Sequence, residues 1–421
     1  MKRIVLARKL REQIHEFLGI FPPHFSKPTL KFIEQILYGI QASGDVKISS
    51  ITRTLGEDIT GKKTAERLSR HLQTPGLWER INEAIASHGG RRIADDTLII
   101  IDPSDIRKEY AKKMPYLEYV RDGSTGEIVK GYWTCSAIAC GQRSRKFIPL
   151  HQRAWSAAAP DFGSENIQIL HVVDAVRRGT GGRGTYILDR GGDRDKLIIP
   201  FLERKIRFII RLKGDRHLLF RGRARRACEI AVGCRMVYAD TIVKEEDGKE
   251  RVHRLEYGYR PVKLPGREEQ LYLVVVKGYG HEPILLLTNG PVRKNRNILW
   301  GIVSGYLTRW LIEEATRFIK QSYSLEDIRV MSYERVRNLV TLVMAAVYFA
   351  GVWLGESLKL AVLATRVARV AKRFFGVPVF RYYALADGIS LLLTYLGRCM
   401  KNLKSATSPP EQVQLLLGGF P

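Results

Sequence analysis

Between residues 97 and 213 the apolar pattern breaks into short runs separated by amphipathic stretches, and that alternation limits the fold more than any other feature of the chain. TLIIID (97–102), IVKGYWTCSAIAC (128–140) and KFIPLHQRAW (146–155) read as strands, with the turn DGSTGE before the second. A helical stretch follows from about Ser164 to Arg178. RRGTGGRGT (177–185) is a glycine-rich loop without the GK[ST] of a Walker motif, and it leads into TYILD (185–189). DRDKLIIPFLERK reads as a further helix and IRFIIRLK (206–213) as a further strand. Three strands, helix, strand, helix, strand is the order of a mixed α/β layer fold.

The flanks differ in period. Residues 1–90 read as helical. MVYADTIV (236–243), VHRLEYGYR (252–260), LYLVVVK (271–277) and PILLLT (283–288) make 214–292 strand-rich. One long helix is expected from near Asn295 to about Tyr323, and the rest is helical and basic. The expected organisation is a helical region over 1–90 and a first core segment over 91–213. A strand insertion over 214–292, the rest of the core over 293–358 and a helical region over 359–421 complete it. The core order is compatible with an RNase-H-like sheet.

Charge narrows the partners. The 421 residues carry 69 Lys and Arg against 43 Asp and Glu, a net charge of +26, and such a field attracts polyanions. Nucleic acid is the first candidate and an acidic membrane surface the second. Leu339 to Gly355 is uncharged and just under the roughly 18–20 residues needed to span a bilayer, so a buried core helix is the preferred reading over a membrane anchor. The opening MKRIVLARKLREQIHEF returns to charge too soon for a signal peptide. Five cysteines with no CxxC pair fit a reducing, cytoplasmic setting.

DVKISSITRTLGEDITGKKTAERLSRHLQ (45–73) suggests a helix-turn-helix reader. Ser49 or Ser50 can cap a first helix that Gly56 ends, and a second runs from about Lys62 to Leu72. On it Ala65, Leu68 and Leu72 share one face, with Lys63, Arg67 and Arg70 opposite. An ordinary amphipathic helix with a solvated basic face has the same pattern.

Three acids stand out by position. Asp102 and Asp189 end apolar strands, and Glu313 lies in the long helix. Phosphoryl transfer through divalent metals needs clustered carboxylates, because hard cations prefer oxygen ligands. A strand-end Asp taken singly is more often a turn or cap residue. The helix reads Tyr306-Leu-Thr-Arg309-Trp-Leu-Ile-Glu313, continuing to Lys320. At about 100° per residue Arg309, Glu313 and Lys320 fall within about 60° of Tyr306. A carboxylate among Tyr, Arg and Lys suits a metal beside a phosphate backbone. A surface stripe with an Arg309–Glu313 pair at i,i+4 fits the same geometry. Trp300 and Trp310 are expected in the core.

The spacing Tyr-x2-Arg-x3-Glu-x6-Lys is similar to the signature of one group of bacterial insertion-sequence transposases of the DDE type, insertion-sequence family four. LDRGGD (188–193) resembles that family's second acidic motif and IDPSDI (101–106) its first, where Asp-Thr-Thr is more usual. The resemblance covers roughly 90–355. It implies an RNase-H-like core with a β-strand insertion, and Asp102, Asp189 and Glu313 as the metal-binding triad. Asp105 competes for the first position, and Asp95 or Asp96 more remotely. It implies DNA phosphate contacts for Tyr306, Arg309 and Lys320, with Arg211 and Lys213 beside the site. Two Mg²⁺ ions, or Mn²⁺, terminal inverted repeats and target DNA as partners, and a homodimer in the paired-end complex are implied as well. A catalytically inactive DNA-binding regulator is the alternative.

Overall fold

The computed structural model describes residues 3–21, 25–123, 125–141, 146–246, 249–356, 358–371 and 382–406. Parts of the expected C-terminal region, 372–381 and 407–421, lie outside the described residues. Five helices lead: α1 (Arg3–Phe17), α2 (Lys27–Ser43), α3 (Ile48–Leu55), α4 (Gly61–His71) and α5 (Leu77–Gly90). Then come β1 (Leu98–Arg107), β2 (Glu118–Arg121), β3 (Ile128–Cys140), β4 (Phe147–Trp155), α6 (Glu165–Thr180), β5 (Thr185–Leu188), α7 (Asp195–Glu203) and β6 (Phe208–Arg211). The insertion holds β7 (His217–Phe220), β8 (Arg223–Arg226), α8 (Ala227–Val232), β9 (Tyr238–Glu246), β10 (Lys249–Val262), β11 (Leu271–Lys277) and β12 (Ile284–Thr288). The chain continues through α9 (Arg296–Leu307), α10 (Trp310–Ser322), α11 (Tyr333–Gly351), α12 (Leu358–Ala368) and α13 (Tyr382–Ala406).

The central strands run in the spatial order β4-β3-β1-β5-β6. β1 is antiparallel to β3 and parallel to β5, and β5 is parallel to β6. Three antiparallel strands followed by two parallel ones reached through helices is the RNase-H-like order, so the chain is a mixed α/β protein with helical regions at both ends. Most of the insertion extends the central sheet, while β7 and β8 form a two-stranded sheet of their own. β12 pairs antiparallel with β6, Leu286 opposite Arg211, and β11, β10 and β9 follow outward in one ten-stranded sheet.

Both faces of the central strands are covered, so their residues are buried consecutively and not alternately. Leu98, Ile100, Ile187 and Ile209 enter one core with residues of α1, α2, α5 and α9 to α13. Ile99, Ile101, Tyr186, Leu188 and Ile210 enter the other with α6 and α7. α11 holds most of the apolar run of 339–355. It has the length and composition to cross a membrane, but Leu339 to Ala350 are all buried, against β4, α5 and α2. α13 packs on α1 and α2, with Ser390 Oγ donating to the Ala42 carbonyl at 2.7 Å.

Three local expectations are corrected. β1 does not stop at Asp102 but runs to Arg107 against β3. Thr185 N donates to Thr97 O at 2.8 Å, so odd-numbered residues of β1 turn their backbone groups toward β5. Pro103 is odd-numbered and lies past the end of β5, where its missing N–H costs no ladder bond. The long helix is two, α9 and α10, joined at Thr308 and Arg309 by i→i−3 bonds such as Leu311 N to Thr308 O at 2.9 Å. Ser304 Oγ donates to Trp300 O (2.6 Å) and Thr308 Oγ1 to Ser304 O (2.8 Å), the back-bonding that bends helices. α3 starts at Ile48 after Lys47, while Ser50 bonds Asp45 instead of capping.

Candidate active site

Register sets the first two acids side by side. Ile100 pairs with Ile187 as the last matched residues of β1 and β5, so Asp102 and Asp189 each stand two residues further on. Two residues is one full strand period, so both carboxylates project on the face of Ile100 and Ile187, across neighbouring strands about 4.8 Å apart. Asp189 is partly exposed and accepts from Gly191 N at 2.8 Å, which caps the 3₁₀ turn Arg190–Gly192.

The same face carries α9 and α10. Gly305 makes that approach close: a Cβ there would sit 3.3 Å from Leu98 Cδ2 and 3.9 Å from Ile209 Cδ1. Leu299, Val303 and Tyr306 of α9, then Leu311, Ile312 and Ala315 of α10, fill the core beneath, and the polar positions between them reach the sheet edge. Arg309, at the joint, puts Nη1 3.6 Å from Asp102 Oδ1 and donates through Nη2 to Glu313 Oε1. Glu313 itself is exposed.

Burial pushes the Asp102 carboxyl up to about 7; Arg309 opposes this, and the nearby charges of Asp189 and Glu313 add to it. The charges of Asp189 and Glu313 are thus felt at Asp102. Among the described residues, however, no group of three or more His, Cys, Asp or Glu side chains is placed to hold a metal ion. The Arg309 guanidinium stands between Asp102 and Glu313 and supplies the counter-charge. Carboxylates are the donors that a hard divalent cation prefers, so the chemistry of the three acids suits one, while their placement here, with Arg309 between Asp102 and Glu313, does not form a ligand set.

The other sequence candidates are placed as follows. Arg211 ends β6, beside the end of β5 in register with Asp189, since Leu188 pairs with Ile210. Lys213 is exposed, and its backbone N donates to Asp193 Oδ2 at 2.7 Å. Tyr306 is buried, one turn before Arg309. Lys320 pairs with Asp105 (3.2 Å) and Glu326 (3.0 Å). Burial works against its ammonium, but these two acids outweigh it and hold its pKa above the ordinary lysine value. Asp105, the competing first acid, is buried and also accepts from Gly123 N at 3.1 Å. Asp95 and Asp96 are exposed at the other end of β1. On α4, Lys63 and Arg70 are exposed, whereas Arg67 bonds both Glu57 oxygens at 2.7 Å and Gln35 Oε1 at 2.7 Å. Trp300 is partly buried against Tyr257, but Trp310 is exposed and not a core residue.

Sequence reasoning missed two features here. Arg216 bridges Asp193 (2.6 Å) and Asp195 (2.6 Å), which ties the loop after Asp189 to the start of the insertion. Beyond it the β7–β8 hairpin holds a run of exposed arginines; the dense basic string RGRARR was its visible signal.

No family model matches the sequence, and no curated protein does. Among solved structures, the chain is similar to a piggyBac transposase, seen by cryo-electron microscopy in a synaptic complex with hairpin DNA. The likeness covers 98% of this chain and 83% of that one, at 10% identity and a TM-score of 0.46.

Proposed function

We propose that this chain is a DDE-type transposase of the Tyr-Arg-Glu-Lys group: it binds the ends of an insertion element and carries out metal-dependent DNA cleavage and strand transfer. One observation carries the reading. Asp102 and Asp189 stand at equivalent positions at the ends of adjacent parallel strands, and Arg309 links Asp102 to Glu313 of α10.

Asp102, Asp189 and Glu313 would hold two Mg²⁺ ions, with Mn²⁺ as a substitute. Such ions, when bound, activate a water or a DNA 3′-hydroxyl and stabilise the leaving oxygen. The chain's own groups do the rest. Arg309 balances Asp102 and Glu313 and is placed to turn toward a phosphate. Arg211 and Lys213 offer positive charge along the edge of Asp189. Tyr306 buttresses the Arg309 joint, and Lys320 fixes the β1 segment through Asp105. Lys63 and Arg70 supply exposed charge on α4 for element ends. Pairing two ends calls for a homodimer, acting in the cytoplasm on nucleoid DNA.

The test is cleavage of a duplex carrying the inverted repeats that flank the coding region, with Mg²⁺ present. Asp189→Asn and Glu313→Gln are expected to lower the rate by about three orders of magnitude or more. Wild-type cutting by either variant sinks the triad. A second reading, a DNA-binding regulator that does not cut, is favoured by the Arg309 bridge, which already neutralises two of the acids. It predicts end binding with no cleavage at any divalent concentration.

A further inference from the structure

The hairpin β7–β8 carries a run of exposed arginines and follows Arg216, which bonds the loop after Asp189. Arg221, Gly222, Arg223, Ala224, Arg225 and Arg226 are all exposed. Arg226 is paired with Glu229 at 2.7 Å, but no hydrogen bond or ion pair engages the side chains of Arg221, Arg223 or Arg225 among the described residues. Arg223 and Arg225 lie two apart on one strand and so share a face.

The hairpin is rigidly mounted. Leu218 is buried, Leu219 and Lys263 exchange backbone bonds of 2.8 and 3.0 Å, and Ala227 N donates to Arg216 O at 2.8 Å. Arg216 in turn grips Asp193 and Asp195, just beyond Asp189. The guanidiniums of Arg221 and Arg260 lie over the Phe220 ring, 5.2 and 5.8 Å from its centre.

The tip runs against local preference. Arg221 has φ 51° and Gly222 φ 76°, the two left-handed positions of a type I′ turn. Asn or Gly favours the first position, and arginine is strained there.

We infer that the 217–226 hairpin is a duplex-DNA backbone clamp, with Arg221, Arg223 and Arg225 gripping phosphates beside the acid edge. The inference rests on the transposase reading and adds three contact residues to it. Three guanidiniums that no hydrogen bond or ion pair engages among the described residues, on a narrow hairpin, complement closely spaced phosphates, which they can engage bidentately.

The experiment is a salt titration of duplex binding by the full chain in Ca²⁺, compared with Arg223→Gln/Arg225→Gln, Arg223→Lys/Arg225→Lys and Arg221→Asn. Two lost phosphate contacts lower the slope of log affinity against log salt by roughly 1.8, so the fall in affinity between about 50 and 200 mM becomes about tenfold smaller. The lysine pair keeps the slope. Arg221→Asn relieves the turn, so it is expected to raise the Tm while lowering the slope by roughly 0.9. Wild-type slopes in the Gln pair overturn the clamp and leave the Asp189- and Glu313-dependent cleavage test untouched. A chain that cuts at neither end nor binds duplex fails at the transposase reading and takes the clamp with it. Preference for phosphatidylserine vesicles over duplex, lost in the Gln pair, overturns the DNA assignment.

Discussion

Arg309 Nη1 lies 3.6 Å from Asp102 Oδ1 while its Nη2 bonds Glu313, so one guanidinium ties a strand acid to a helix acid. It lowers the pKa of a carboxyl that burial has raised. Arg309→Gln removes that restraint, and the acid limb of the cleavage pH profile is expected to move to higher pH. An unmoved limb, read from initial rates between about pH 6 and 9, would mean that Asp102 does not limit the reaction.

Asp102 also gives the fold a pH dependence of definite sign. Its folded pKa is about 7 against an unfolded value of 3.8. Between those values the folded state holds the extra proton, so this group's contribution to stability is present below the unfolded pKa and is lost as pH rises toward 7. Asp102→Asn is expected to abolish that slope and to stabilise the metal-free chain at pH 8 by about 1–3 kcal/mol. Mg²⁺ should raise the Tm of the wild type at pH 8 and leave that of the variant nearly unmoved. Thermal melts with and without the cation check both.

How far such a site is visible before folding depends on the range of the forces that make it. The apolar runs leading to Asp102 and Asp189 show themselves because a buried strand needs consecutive apolar residues and an edge tolerates charge. That their carboxylates fall abreast depends on the Ile100–Ile187 register, a non-local pairing that no window of sequence contains. The joint between α9 and α10 has no proline to mark it; Ser304 and Thr308 bend the chain through side-chain bonds. β8 was hidden because Arg-Ala-Arg-Arg has no apolar alternation, and the strand exists only as β7's partner. That β9 to β12 extend the central sheet is equally non-local, because β12 meets β6 across some 75 intervening residues.

Arg67 shows the limit of reading a basic stripe as one surface. Lys63, Arg67 and Arg70 share a helix face, yet Arg67 is spent on Glu57 and Gln35. Burial raises the Glu57 carboxyl, and Thr64 and Arg67 more than offset it. Arg67→Ala is expected to lower stability by about 1–3 kcal/mol, because Glu57 keeps only the neutral donors Thr64 and Gln35 and Gln35 Oε1 loses its donor. Lys63→Ala and Arg70→Ala should leave the Tm within experimental error and weaken DNA binding, with a shallower salt slope. Denaturant melts beside salt-titrated gel shifts separate the two behaviours; a stable Arg67→Ala would return that residue to the surface stripe.

Lys320 and Asp105 pose the same question at the active-site end. The carboxylate is buried, and its partners are the Gly123 amide and the Lys320 ammonium. Removing the lysine strands a buried charge, which costs about 3–5 kcal/mol, whereas loss of one exposed phosphate contact would cost the fold almost nothing. Lys320→Gln is therefore expected to be strongly destabilising, and Asp105→Asn in the same chain should recover part of the loss because the neutral pair no longer buries an uncompensated anion. A double-mutant cycle on unfolding free energy, run beside cleavage assays well below each variant's Tm, tells the roles apart. Coupling between the two positions with near wild-type cutting by the double variant makes Lys320 a structural anchor for β1. Additive stabilities with cutting reduced in every Lys320 variant would give it to the DNA instead.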